Sequence, residues 1–214
     1  MSNIEVISAV HGIAPRSDEL LLLGTDLEKG RVSIDTFNEQ VALETEQWLT
    51  QQADANIDIV EDGKLRWQDH LRPIAAATTG FDGDPDQAPV TRWYHTNRFY
   101  RQPTITGQLV FDGEQFDSIV GTIGENLSMI DPKTFASLCN NTYTQLSPEE
   151  NVLQLYQQLL THLQETGVRR ITFENYEYIR RTLDFNGYVS QVEHLRALFP
   201  GIRFTALGIH EPGG

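Results

Sequence analysis

Apolar and polar positions alternate along this chain with two different periods, and their order predicts the elements. A period of two, typical of strands, occurs from Ile4 to Val10 and from Thr104 to Phe111. A helical period occurs at Asp35–Gln52, Pro148–Thr166 and Tyr188–Phe199. Short apolar runs predict further strands at Ile57–Val60, Ser118–Val120, Val168–Phe173 and Ile202–Leu207. The pattern is therefore a mixture of strands and helices along the whole chain.

Local capping and turn signals fix several boundaries. Ser147 as N-cap, Pro148 at the first helical position and Glu150 form a capping box, and Gly167 ends that helix. Asp35 is the predicted N-cap of the earlier helix. The pair Asp112-Gly113 predicts a hairpin turn that leads into the strand at 118–120, and the segment from 80 to 89 predicts an acidic, Gly/Pro-rich loop.

Strands that alternate with helices predict an α/β fold with a parallel sheet covered by helices. We expect one domain over residues 1–214, of the (β/α)8 TIM-barrel type but incomplete, with about six βα units, because a complete barrel needs about 250 residues. The open parallel edge of such a barrel exposes unpaired backbone. A second copy, another subunit or a rearranged terminus must then cover it.

Composition narrows the classes of partner. The chain has 214 residues and a formal net charge of −14, with 30 acidic against 16 basic residues, a balance that disfavours nucleic acid and anionic membranes as partners. Cys139 is the only cysteine, which rules out an intrachain disulfide and a metal site built from several thiolates. No apolar run approaches the about 20 residues of a membrane span, and no signal peptide is recognised, so we expect a cytoplasmic protein.

Polar residues that follow the predicted strands are the candidates for chemistry, since ligands of α/β barrels meet the loops at the carboxyl ends of strands. His11, Asp62 and Glu174 are the candidate catalytic residues, with Glu61 as a further carboxylate. His11 could equally stabilise its loop, and Asp62-Gly63 could be an ordinary turn. The segment Arg92–Pro103 combines aromatic rings, an amide and arginines, and it suits either a small-molecule site or a half-buried strand.

Three segments together resemble the cobalamin-independent methionine synthase family, in particular its amino-terminal barrel. The aromatic segment is similar to the family's Lys-Trp-Phe-Asp-Thr-Asn-x-x-Tyr-x-x-Pro pattern; the residues that match are Trp93, Thr96, Asn97, Tyr100 and Pro103. The segment from Gly12 to Ser33 resembles the family's opening Gly-x-Pro-Arg…Glu-Leu…Lys-Gly-x-x-Ser run. Asp62-Gly63 with Arg66 and Asp69 resembles its Asp-Gly-Glu-x-x-Arg-x-Asp turn. The helix before Gly167 and the strand that ends at Glu174 fit the family's next unit, so the resemblance covers nearly the whole chain with the order preserved.

The resemblance implies a role in methyl transfer from a methylated folate to homocysteine, in methionine biosynthesis. It implies that an amino-terminal barrel helps to hold the anionic folate tail, for which Arg16 and Arg92 are best suited because guanidinium binds carboxylate as a bidentate fork. The residues that the resemblance assigns to substrate binding are Arg16, Arg66, Arg92, Trp93, Tyr94, Asn97 and Tyr100. Zinc and the reactive chemistry belong to the family's carboxy-terminal barrel.

The chain also departs from the family pattern. Asp18-Glu19-Leu20-Leu21 lacks the two positive charges of the family's Arg-Glu-Leu-Lys run, and the His-x-Cys…Cys zinc pattern is missing. We therefore expect no cofactor on this chain and a zinc-bearing catalytic barrel as its partner, or self-association through the open edge, with the methyl donor or homocysteine as small-molecule substrate. Two alternatives stay open, a stand-alone enzyme with a carboxylate-rich site and a non-catalytic assembly protein.

Overall fold

Helices alternate with strands through most of the chain, which confirms the α/β class. A computed structural model describes residues 6–93, 99–176 and 185–208. The chain folds as two compact units, Met1–Arg66 and Trp67–Gly214. The elements are α1 (Asp18–Glu28), α2 (Ile34–Asp54), α3 (Arg72–Ala76), β1 (Thr78–Phe81), a 3₁₀ turn (Pro85–Gln87), β2 (Val90–Arg92), β3 (Phe99–Arg101), β4 (Thr104–Phe111), α4 (Gly113–Val120), β5 (Asn126–Ile130), α5 (Pro132–Leu138), β6 (Asn140–Asn141), α6 (Pro148–Glu165), β7 (Arg170–Asn175), α7 (Phe185–Leu198) and β8 (Arg203–Gly208).

The first unit is built around α1 and α2. Ser17 is the N-cap of α1, where its hydroxyl accepts the amide of Leu20 at 3.0 Å, and Ser33 caps α2 in the same way by accepting the amide of Thr36. The predicted helix at 35–52 is confirmed, although its N-cap is Ser33 and Asp35 lies in the first turn. The small core of this unit consists of Ala14, Leu20, Val41 and Leu65, against which Phe37 and Trp48 pack.

The two strands predicted for the first unit, at residues 4–10 and 57–60, are reduced in the structure to a single backbone bridge. Ala9 and Ile59 form an isolated parallel bridge, and the segment from 6 to 8 is irregular; Ile4 lies outside the described residues. The hydroxyl of Ser8 donates to the carboxylate of Asp58 at 2.7 Å beside this bridge. Side-chain hydrogen bonds thus replace much of the expected strand pairing.

Glu44 of α2 holds the start of α1 in place through hydrogen bonds. Its carboxylate accepts hydrogen bonds from the amide of Ser17 at 3.2 Å, from the hydroxyl of Ser17, and from the side-chain amide of Gln40 at 3.0 Å. Burial opposes ionisation of Glu44, but these hydrogen bonds and the nearby charge of Arg16 outweigh it, so the pKa of Glu44 lies below its ordinary value of 4.5. Ionised Glu44 therefore stabilises the folded unit.

Replacing Glu44 by glutamine is expected to destabilise the protein by about 1 kcal/mol at pH 7, because neutral amide acceptors are weaker than a carboxylate. A carboxyl with a lowered folded pKa contributes stability above its unfolded pKa and loses it as pH falls through the folded value. The difference in melting temperature between wild type and Glu44→Gln should therefore shrink below about pH 4.5. Thermal unfolding from pH 3 to pH 8 measures this, with Glu46→Gln as the control on the same helix. A difference that stays constant with pH would contradict the prediction.

In the second unit the described strands form three sheets. One is the parallel sheet β5-β7-β8, in which β7 lies between the other two. A second sheet pairs β1 with β4 in antiparallel orientation and β4 with β6 in parallel orientation, and β2 pairs with β3 in antiparallel orientation. A closed eight-stranded barrel is not shown by these pairings.

Two amide side chains of α6 cover one edge of β4. The side chain of Asn151 accepts the amide of Leu109 at 2.9 Å and donates to the carbonyl of Gly107 at 2.9 Å. Gln158 accepts the amide of Phe111 at 3.0 Å and donates to the carbonyl of Leu109 at 3.3 Å. The helix thus supplies the hydrogen bonds that a neighbouring strand would otherwise make.

The sequence predictions for the second unit hold in part. α6 with its complete capping box, β4, β7, α7 and β8 are confirmed with small changes at their ends. The strand at 118–120 is wrong: those residues end helix α4, and Asp112 is its N-cap, which accepts the amide of Gln115 at 3.0 Å. The loop at 80–89 contains the end of β1 and a 3₁₀ turn. In the described part of the chain, no helix is both long and apolar enough to cross a membrane.

Candidate functional site

The carboxyl edge of the parallel sheet β5-β7-β8 gathers polar side chains. Ile130 at the end of β5 is in register with Glu174 of β7, and Asn175 is in register with Gly208 at the end of β8. Asp131 follows β5 directly. Ligands of α/β sheets bind outside the carboxyl ends of the strands, so this edge is the candidate site.

Glu174 is the charged group at the centre of this edge. Its side chain is fully buried, its Oε2 accepts the hydroxyl of Tyr176 at 3.0 Å, and the same oxygen lies 3.9 Å from Nδ1 of His70. A carboxylate that is withdrawn from water needs partners to compensate for its lost hydration. The tyrosine hydroxyl supplies such a partner, whereas the histidine ring lies beyond hydrogen-bonding distance of the same oxygen.

An aromatic cluster, made of Trp93, Tyr100, Tyr176 and His70, adjoins Glu174. The ring centroid of Trp93 lies 5.2 Å from that of Tyr176, 5.5 Å from that of Tyr100 and 5.6 Å from that of His70. The contacts with the two tyrosines are edge-to-face, the arrangement that aromatic quadrupoles favour. The hydroxyl of Tyr100 donates to the carbonyl of Leu138 at 3.0 Å, which fixes the ring. The cluster therefore forms a rigid apolar wall beside a buried charge.

Asp131 and Thr134 fix the backbone on the other side of Glu174. Asp131 is the N-cap of α5 and accepts the amides of Lys133 at 3.0 Å and Thr134 at 3.2 Å. The hydroxyl of Thr134 donates to Asp131 at 2.5 Å and accepts the amide of Tyr176 at 3.2 Å. Both Asp131 and Thr134 are fully buried. This chain of hydrogen bonds holds Tyr176, and through it the carboxylate, in place.

Asn175 is the anomaly of the site. Its side chain is fully buried, and neither its amide oxygen nor its amide nitrogen has a hydrogen-bond partner among the residues that the structure describes. Buried side-chain amides in folded proteins almost always bond to something, and each unsatisfied group costs about 1–3 kcal/mol. The donor and acceptor of Asn175, one residue from Glu174, are therefore candidates for hydrogen bonds to a ligand.

Two buried tyrosines donate to the strands below this edge. Tyr156 donates to the carbonyl of Ile130 at 2.7 Å, and Tyr188 donates to the carbonyl of Phe173 at 3.2 Å. Burial first, and the charge of Asp131 second, raise the pKa of both hydroxyls above the ordinary value of 10. They stay neutral and act as fixed donors rather than as acids or bases.

Three of the predicted site residues lie at this edge: Trp93, Tyr100 and Glu174. The ring of Tyr100 packs against Trp93, and Tyr176 links Trp93 to Glu174. Their functional roles stay predictions. Arg92 is exposed, with its guanidinium carbon 5.8 Å from the ring centroid of Phe99, and its role in holding an anionic tail stays a prediction. Tyr94 and Asn97 lie outside the described residues.

The other predicted site residues lie in the first unit. His11 is exposed, Arg16 and Arg66 are half-buried, and the charge of Arg16 acts on Glu44. Asp62 accepts the amide of Lys64 at 2.9 Å, which is the contact of an ordinary Asx turn. Their catalytic and binding roles stay predictions.

The sequence pattern does not single out His70, and it assigns no role to Asn175 and Tyr176. A signal for His70 exists, because Asp69, which ends the segment that resembles the family's Asp-Gly turn, immediately precedes it. Asn175 and Tyr176 follow Glu174 directly, at the position where barrel ligands are expected. The roles of His70, Asn175 and Tyr176 depend on residues that are distant from them in the sequence.

The described residues do not form a zinc site of the kind the family uses. They contain no group of three or more histidine, cysteine, aspartate or glutamate side chains that could hold a metal ion. Burial raises the pKa of the Cys139 thiol far above its ordinary value of 9.0, which disfavours the thiolate that zinc binds. No catalytic step through zinc is assigned to these residues.

Two solved structures are similar to this chain. One is a B12-independent methionine synthase from Shewanella sp. W3-18-1 in complex with selenomethionine, with a TM-score of 0.59 and 14% sequence identity over 86% of this chain and 55% of that one. The other is a candidate vitamin-B12-independent methionine synthase from Listeria monocytogenes, with a TM-score of 0.67 and 12% identity over 94% of this chain and 66% of that one. No protein-family model matches the chain, and no curated protein matches it in sequence. The chain thus spans between about half and two thirds of these two proteins, and it shares their fold.

Proposed function

We propose that this chain is an amino-acid-binding relative of the B12-independent methionine synthases, and that its carboxyl-edge site holds methionine or homocysteine. The observation that carries the proposal is the pair Glu174 and Asn175, a buried carboxylate beside a buried amide whose polar atoms have no partner in the described part of the chain. The likeness in fold to the Shewanella protein, which is in complex with selenomethionine, supports the choice of ligand.

Each part of such an amino acid has a counterpart in the site. Its ammonium group would pair with the carboxylate of Glu174, and its carboxylate would accept the side-chain amide of Asn175. Its sulfur would contact the aromatic cluster, since thioether sulfur packs favourably at the edges of aromatic rings. The tyrosine hydroxyl that donates to Oε2 orients the carboxylate of Glu174, so this group needs little further ordering when a ligand binds.

We further propose that the chain works with a separate zinc-bearing catalytic subunit in methyl transfer. The support is the likeness in fold to the two B12-independent methionine synthase structures, of whose length this chain spans between about half and two thirds. On this proposal the chain binds and orients the amino acid, and metal activation of a thiolate takes place on the partner. A methylated folate is the expected methyl donor.

Titration calorimetry with L-methionine and L-homocysteine tests the binding proposal. The matched probes are the same molecules without the amino group, namely 4-(methylthio)butanoate and 4-mercaptobutanoate. We expect binding of the amino acids and at least about tenfold weaker binding of the two desamino acids, since loss of a charge-assisted pair costs about 1.5–3 kcal/mol. Equal affinity for both kinds of probe, or no binding of either amino acid, would refute the proposal.

A further inference from the structure

A cleft lined by arginines lies at the opposite edge of the same parallel sheet. Its volume is about 840 Å³, and it is bordered by the amino ends of β5, β7 and β8 and by the turn after α7. The basic side chains that line it are Arg169, Arg170, Arg196 and Arg203. One acidic side chain, Glu125, also lines it. Four of the 16 basic residues of a chain with net charge −14 are thus gathered in one cleft.

The sheet places the backbone positions of two of these arginines side by side. Arg170 and Arg203 stand opposite each other in the register of β7 and β8. Like charges directly opposite each other on neighbouring strands destabilise a sheet. The backbone cannot relax to separate them, because the amide of Arg203 donates to the carbonyl of Arg169 at 2.8 Å and the amide of Arg170 donates to the carbonyl of Glu125 at 3.0 Å.

The protein neutralises this charge only weakly. Nη1 of Arg196 lies 3.7 Å from Oε1 of Glu193, but both side chains are well exposed. Salt bridges between exposed side chains contribute little free energy. Arg169 donates to the backbone carbonyls of Gln164 and Val168 at 3.2 Å, contacts that orient the guanidinium without cancelling its charge. Neither Arg170 nor Arg203 forms a salt bridge with any residue that the structure describes.

We propose that this cleft binds a compact polyanion, a small molecule with two or more neighbouring phosphate or carboxylate groups. Guanidinium groups bind both kinds of anion as bidentate forks, and several of them in one cleft match several anionic groups. The volume lies within the range of about 300–1,000 Å³ that is typical of small-molecule sites. A bound anion would also offset the positive charge of Arg170 and Arg203, which are paired in the register of β7 and β8.

Titration calorimetry and thermal unfolding with inorganic pyrophosphate at low ionic strength test the proposal. Citrate serves as the carboxylate probe, and whichever of the two binds more tightly identifies the preferred anionic group. We expect Arg170→Gln/Arg203→Gln to bind at least about tenfold more weakly than wild type, because each charge-assisted contact is strong and the variant lacks two of them. Without anion, this variant should melt at the same temperature as wild type or higher, since the like-charge contact is gone.

The matched control is the variant Lys29→Gln/Arg31→Gln, which also removes two positive charges, but from exposed positions outside the cleft. It should retain the affinity of wild type within about twofold. Three results would overturn the proposal. They are no binding of either probe to wild type, equal weakening in both double variants, and a lower melting temperature of the Arg170→Gln/Arg203→Gln variant without anion. None of these measurements depends on the site at Glu174, so the two proposals fail independently.

Discussion

Replacement of Lys64 by methionine is expected to lower the free energy of unfolding by about 3 kcal/mol or more. The side chain of Lys64 is fully buried, and its Nζ lies 3.4 Å from Oε2 of Glu61, which is also buried. Removal of one partner from a buried ion pair leaves the other charge in a poorly solvated environment, which costs about 3–5 kcal/mol. The neighbourhood cannot open easily, because Gln52 accepts the amide of Glu61 at 3.1 Å and donates to its carbonyl at 2.7 Å.

Methionine is the informative replacement. It fills a similar volume, and it carries the same conformational cost as lysine at the left-handed φ of +53°. The variant therefore isolates the charge. Urea denaturation measures the effect, with exposed Lys29→Met as the control, for which we expect a change below about 0.5 kcal/mol. The double variant Lys64→Met/Glu61→Leu should recover much of the loss, because it removes both charges. A loss in Lys64→Met no larger than in the control would show that the pair has no such role.

Glu174→Gln is expected to weaken the binding of L-methionine by about 100-fold or more. The substitution removes the negative charge that would pair with the ligand's ammonium group, and loss of one partner of a buried charge pair has a large effect on affinity. Glutamine has nearly the same shape, and its amide oxygen can still accept the hydroxyl of Tyr176. The fold should therefore survive, and binding is the property that changes.

Titration calorimetry at pH 7 measures this loss, and thermal unfolding checks that the variant is folded. The control is Glu165→Gln on the exposed end of α6, which removes an equal charge and should leave the affinity unchanged. Wild-type affinity in a folded Glu174→Gln variant would mean that the ammonium group binds elsewhere. A residual dependence on the ligand's carboxylate is expected, since Asn175 remains in the variant.

Elements with strong local signals could be predicted from the sequence. α6 is the clearest case, because Ser147, Pro148 and Glu150 define its start within four residues, and the structure shows the complete capping box. Asp112 shows how a local signal can mislead. An aspartate before a glycine favours both a turn and a helix N-cap, since its carboxylate accepts nearby backbone amides in either case. Only the packing of α4, with Phe116 fully buried, decides between the two.

The site could be predicted only where position in the chain and chemistry coincide. Glu174 follows an apolar strand, so that its position at the carboxyl end could be inferred. His70 lies beside α3, and Thr134 lies within α5; the pattern predicted neither of these short helices. Both residues matter for the site because they contact Glu174 and Tyr176, which are distant in sequence. Asn175 is informative because its buried amide has no hydrogen-bond partner among the residues that the structure describes, and no sequence pattern encodes that.

The amide side chains of Asn151 and Gln158 have a consequence for aggregation. An uncovered strand edge is a template onto which a strand of another molecule can add. Along β4 from Gly107 to Phe111, the backbone groups that would receive such a strand already bond to α6. Edge-to-edge growth from β4 therefore requires α6 to detach first, which confines that route to partly unfolded molecules. Self-association of the native chain would have to use another surface.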